Sequence, residues 1–229
     1  MKPVLARIVE KKREYGQLPL FEFMRNYDIN ARHRLSFFPC MAFFILAFGD
    51  LNKYVLRSEP PVDEHQKKVN KHTYEDDHHW PWYLEDLTKL GFDKTEPWSN
   101  LLQFLWSDET KVQRTLMYRL TGAIANASTV ERLIIVESIE QTGQVLFFLT
   151  TNLAEEVEVQ LGTELRYCGH FHFGVESGHG MGYEHRSLAS IELTEEQRAK
   201  CLQHVDNVFA WFQEWTDELL AYAKAHPFP

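Results

Sequence analysis

Apolar residues recur along this chain at helical intervals of three and four, and no stretch alternates with period two over several residues. The pattern predicts helices over residues 4–15, 20–27, 31–56, 62–90 with a bend at Pro81, 99–125, 130–153, 164–179 and 194–225. The expected fold class is therefore all-α. The 31–56 segment is apolar nearly all round, from Phe37 and Phe38 through Met41, Phe44, Ile45 and Phe48, and a helix of that kind belongs in the middle of a bundle. The last segment is amphipathic, with Cys201, Val205, Val208, Phe212, Trp215, Leu219 and Tyr222 at heptad-like intervals. That is the signature of a packing helix.

Punctuation supports these boundaries. Pro60-Pro61 precedes the fourth segment, Gly91 and Pro97 separate the fourth from the fifth, Ser128 is an N-cap candidate, and Thr194-x-x-Gln197 reads as a capping box. No low-complexity stretch or linker divides the chain, so 229 residues with 44% hydrophobic content point to one domain spanning 1–229.

Charge narrows the partners. A net charge of -9 argues against nucleic acid and anionic membrane, both of which need clustered Lys and Arg. The longest uncharged run, 35–49, is shorter than the ~20 apolar residues of a membrane span and contains Pro39. Cys40, Cys168 and Cys201 form no disulfide framework, and the N-terminal residues do not resemble a signal peptide. A cytoplasmic protein is expected.

One pattern occurs twice. His72, Asp76 and His79 spell His-x3-(Asp/Glu)-x2-His, and so do His172, Glu176 and His179. On a helix each trio falls on a single stripe, and each interrupts an apolar face. Glu137 and Glu140 interrupt the inward stripe of the 130–153 segment in the same way. An ionised carboxylate placed in a core costs several kcal/mol unless it is paired, hydrogen-bonded or bound to metal. Two explanations answer this: a buried polar network, or a shared cation. Two copies of the motif plus the glutamate pair favour the cation. The mixture of imidazole and carboxylate suits iron or manganese, while more than four candidate ligands and no CxxC speak against a structural zinc site.

These residues resemble the heme-oxygenase-like diiron oxidase superfamily, whose roughly seven-helix bundle is shared with thiaminase II and pyrroloquinoline-quinone synthase. In that family one helix supplies a carboxylate and, seven residues on, a His; a second supplies a bridging Glu; a third carries His-x3-(Asp/Glu)-x2-His. His172, Glu176 and His179 match the third motif, His79 matches the first helix's histidine, and Glu140 with Glu137 matches the bridging position. His72 departs from the pattern by standing where the family has Glu: either the ligand set is a variant one, or Asp76 or Glu75 supplies the carboxylate, or one metal position is weakened.

The resemblance implies two iron ions, with manganese as the alternative, and O2 plus a small organic substrate as partners. The expected ligands are His72, His79, Glu140, His172, Glu176 and His179, with Asp76 and Glu137 as additional ligands or as carboxylates that orient the imidazoles, and a second copy of the chain is an optional partner. It also implies an alternative, a metal-free enzyme or binding protein of the same fold, in which Cys40 or Cys168 would be candidate nucleophiles. The ferritin-like bundle, with paired Glu-x-x-His helices, ranks second, since 31–56 contains no Glu.

Overall fold

The computed structural model describes residues 1–178 and 188–228, the side chains of 176–178 excepted. Among these residues the chain is helical and contains no strand. The helices are α1 (Lys2–Tyr15), α2 (Pro19–Arg25), α3 (Ala31–Arg34), α4 (Ala42–Asp50), α5 (Glu64–Asp76), α6 (Trp80–Lys89), α7 (Trp98–Trp106), α8 (Lys111–Ala125), α9 (Thr129–Leu161), α10 (His170–Gly178) and α11 (Glu195–Ala225).

Two long helices form the spine. α9 spans 33 residues, about 50 Å at 1.5 Å per residue, and packs against α11, α5, α1 and α10. Its start is fixed by Glu131, which accepts a hydrogen bond from Ser128 N–H at 2.9 Å, and its end by Gly162 in the left-handed conformation at φ 65°. α11 begins with the Thr194/Gln197 capping box anticipated from the sequence. It buries Cys201, Val205, Val208, Phe212, Trp215 and Leu219.

Three predicted helices are broken, and at each break a side chain takes over freed carbonyls. The 31–56 segment divides into α3, a 3-10 turn at Phe38–Met41, α4 and a π-helical turn at Leu51–Leu56. Pro39 removes a backbone donor there, and the buried Tyr83 hydroxyl donates to Phe38 O at 2.8 Å. The 99–125 segment divides at Ser107, where Arg114 donates to the carbonyls of Ser107 and Thr110 at 3.0 and 3.1 Å. The 62–90 segment divides into α5 and α6, with Arg57 donating to Thr73 O at 2.6 Å and pairing with Asp77 at 2.6 Å. Val62, the first residue of that predicted helix, lies ahead of α5 and is exposed.

The segment predicted helical over 164–179 is helical only from His170, because residues 165–168 direct their N–H groups to carboxylates elsewhere. α4 and its neighbours remain central, as their all-round apolarity requires: Phe44 and Ile45 are buried, and Phe44 lies 4.4 Å from the ring of Trp215.

Candidate metal centre

α5 and α9 bring the first group of polar side chains together. His72 and Asp76 stand four residues apart on the last turns of α5 and so share a face. Glu140 approaches them from the middle of α9, and one ligand atom from each of the three lies within 4.8 Å of the others. Asp76 is buried, whereas His72 and Glu140 are half-buried.

The second group is a pair of imidazoles. α5 ends at Asp76, so His79 is not the third rung of its stripe but the N-cap residue of α6. From there it meets His172 in the first turn of α10, with His172 Nε2 to His79 Nδ1 at 3.1 Å. Both rings are buried. On its other side His172 Nδ1 lies 2.8 Å from Tyr167 O. A carbonyl can only accept, so the proton of His172 sits on Nδ1, and with both rings neutral its Nε2 accepts from His79 Nδ1–H.

Two carboxylates of the first group and both imidazoles of the second face one cavity of about 60 Å³, room for about four water molecules. Asp76, His79, Glu140 and His172 all line it. Its remaining wall is largely aromatic and aliphatic, built by Phe44, Phe48, Phe147, Phe212 and Trp215 among others, and no Lys or Arg lines it among the described residues. The imidazoles are held by rings: Trp82 stacks on His79 at 4.6 Å and 20°, and Phe147 lies edge-on to His172 at 4.2 Å.

Of the residues predicted from the sequence, the structure thus gathers His72, Asp76, His79, Glu140 and His172. It does not bring Glu137 to the cavity wall. That carboxylate accepts from Gln141 Nε2 at 2.9 Å and faces the half-buried Lys12, whose ammonium donates to Gln141 and Gln144 at 2.6 Å. Burial lowers the pKa of Lys12, and the Glu137 charge opposes that shift. Glu176 falls on α10, but its side chain and the whole of His179 lie outside the described residues. His78 and His170, off the motif stripes, are exposed, and His170 pairs with Glu155.

The sequence did not single out Trp82, Tyr167 and Phe147 as contributors to this site. For Trp82 the signal is the Trp80-Pro-Trp82 aromatic cluster directly after His79, and for Phe147 it is the place seven residues after Glu140 on the same stripe.

The thiols are poor nucleophile candidates. Cys168 does not share a helix with His172. It is buried against Asp86, its Sγ 3.4 Å from Oδ2, and burial together with that charge pushes its pKa well up. Burial also raises the Cys40 thiol, with Glu218 and Glu109 adding to the shift.

The donor set fits a transition metal. Two imidazole nitrogens bound to one ion at about 2.1 Å and at right angles stand about 3 Å apart, close to the separation of His79 Nδ1 and His172 Nε2. The neighbouring trio of one imidazole and two carboxylates supplies the harder oxygen ligands.

No family model matches this sequence, and comparison with curated proteins finds no match. A crystal structure of a domain of unknown function with a heme oxygenase-like fold, from Shewanella denitrificans, superposes with a TM-score of 0.67 at 13% identity, covering 97% of this chain and 93% of that one. An agreement of this extent at such low identity establishes architecture, and the protein has the heme-oxygenase-like fold.

Proposed function

We propose that this protein is a non-heme dinuclear-metal oxidase or oxygenase, holding two iron ions or, alternatively, manganese, and oxidising a small organic molecule with O2. One observation carries the reading: Asp76 and Glu140, which cluster with His72, and the His79/His172 pair border one aromatic cavity, and these residues come from four helices. Glu176 and His179 extend the ligand set by their place in the second motif. The bound metal would supply the site for O2 binding and the electrons that reduce it.

The chain's own residues do the rest. Tyr167 O keeps the His172 proton on Nδ1, which leaves the Nε2 lone pair for a cation. His79 must move its Nδ1 proton to Nε2 before Nδ1 can bind an ion, and Trp82 holds the ring plane while it does so. The Phe and Trp side chains exclude water and receive an apolar substrate. Because that wall offers no Lys or Arg among the described residues, a neutral or cationic substrate suits it better than one carrying an anion into the apolar end.

The test is protein produced with iron supplementation. Elemental analysis is expected to give close to two first-row metal ions per chain, and less than ~0.2 equivalents overturns the metal reading. Fe(II)-loaded protein is then expected to consume O2 in an oxygen electrode when offered a panel of apolar amines, amino acids and fatty acids. Full iron loading without O2 uptake across that panel overturns the oxidase reading and leaves a binding role.

A further inference from the structure

Asp86 is fully buried, yet it neither lines the cavity nor pairs with a cation in any of its hydrogen bonds. Instead it spends its carboxylate on a loop. Oδ1 accepts from Arg166 N–H at 2.8 Å, and Oδ2 accepts from Tyr167 and Cys168 N–H at 2.8 and 3.0 Å. The preceding amide, Leu165 N–H, donates to Glu158 Oε1 at 2.7 Å. Four consecutive amides of the segment joining α9 to α10 are therefore held by two carboxylates. Successive N–H groups turned to one side form a concave anion-binding nest, here filled by the protein itself. The chain has no slack at this point, since a Cβ on Gly169 would sit 2.2 Å from Leu165 O.

His172 stands just beyond this clamp. Its own N–H donates to Arg166 O at 3.2 Å, and its Nδ1 meets Tyr167 O at 2.8 Å. Both acceptors belong to the residues whose amides Asp86 holds. His79 and Asp86 are in turn seven residues apart, one capping α6 and the other two turns along on the same side, about 10 Å away. α6 therefore carries one imidazole of the pair directly and grips, through Asp86, the peptide groups that orient the other.

We infer that Asp86 is a positioning residue which, with Glu158 in support, fixes the rotation and tautomer of His172 by clamping the 165–168 loop. This role deepens the metal reading but stands on the protein's own hydrogen bonds, so its test separates the two. Asp86→Asn keeps the shape while placing an amide donor or a weaker acceptor against three N–H groups. Glu218→Gln is the control: Glu218 is also buried and also accepts two backbone amides, Val112 and Gln113 N–H at 2.5 and 3.1 Å, but at the start of α8.

Histidine-ring 1H–15N NMR spectra of the metal-free proteins give the first readout. Wild type and Glu218→Gln are expected to show His172 as the Nδ1–H tautomer, and Asp86→Asn to show a mixture. Competition titration with Co(II) gives the second, with Asp86→Asn expected to bind about 10- to 100-fold more weakly, the usual effect of losing a group that orients a ligand. A His172 spectrum unchanged by Asp86→Asn, or changed equally by Glu218→Gln, overturns the proposal. Should Asp86→Asn fail to fold, Glu158→Gln decides: a smaller tautomer shift in the same direction supports the clamp, and none overturns it. If wild type binds no Co(II) while the tautomer shift is present, the metal reading falls and the positioning role stands.

Discussion

The two copies of His-x3-(Asp/Glu)-x2-His are spelled alike and built differently. In the first, α5 stops at Asp76, so His72 and Asp76 stay in register while His79 is delivered by the next helix. In the second, α10 starts at His170, only two residues before the motif, and the loop ahead of it sets the ring of His172. The first copy is thus split between two helices, and the second is launched from a clamp. Spacing along the sequence fixes a shared face only while the helix continues. Where it ends, the same spacing becomes a way to send one ligand to a different neighbour, here His79 to His172.

The strongest way to break this comparison is to remove Glu140, the residue that α9 contributes. Glu140→Ala is expected to lower Co(II) or Fe(II) affinity by more than roughly 100-fold while circular dichroism stays helical, because ligand loss exceeds the effect of losing an orienting group. Unchanged metal affinity would detach α9 from the site.

The break in the first copy can be attacked at Arg57, which closes α5 through Thr73 O, Thr73 Oγ1 and Asp77. Arg57→Ala is expected to lower unfolding stability by about 2 kcal/mol in urea titration, since these partly buried hydrogen bonds are charge-assisted. It should also weaken metal binding, as His79 loses its anchor one turn away. A stability change alone would show that the break can shift without disturbing the imidazole pair.

The pH dependence of the Arg57–Asp77 pair is the next sharpening. Burial pushes the Asp77 pKa up, but the Arg57 guanidinium and the His78 ring outweigh it and hold the group below its ordinary 3.8. Its contribution is therefore complete above pH 3.8 and is lost as pH falls through the depressed native value. Urea titrations from pH 6 downward are expected to show a shallower acid loss for Asp77→Asn than for wild type, with about 1 kcal/mol less stability at neutral pH. Parallel pH profiles would show that Asp77 does not help Arg57 close α5.

The smallest effect belongs to the second copy's neighbour. His170 is exposed and paired only with exposed Glu155 among the hydrogen bonds found for it. His170→Ala should leave metal affinity within about twofold and thermal stability nearly unchanged, as surface pairs contribute little. A large loss of metal would mean that the second motif is read in the wrong register.

The sequence by itself determined the helical class, the central place of the apolar 31–56 segment, the N-termini of α9 and α11, and the interruption of apolar faces by His72, Asp76, Glu140 and His172. These are legible because periodicity and capping are local: they depend on residues within a turn or two of each other. Where helices stop was decided elsewhere. Tyr83 reaches Phe38 O across 45 positions, Arg57 reaches Thr73 O across 16, and Asp86 holds amides 80 and more residues away. Glu137 and Glu140 look equivalent in the sequence, one turn apart on one stripe, yet α1 brings Lys12, which bonds Gln141 and Gln144 of α9, to the first and leaves the second to the cavity. Only tertiary structure could separate them, because a buried carboxylate settles with whichever partner the packing of other helices presents.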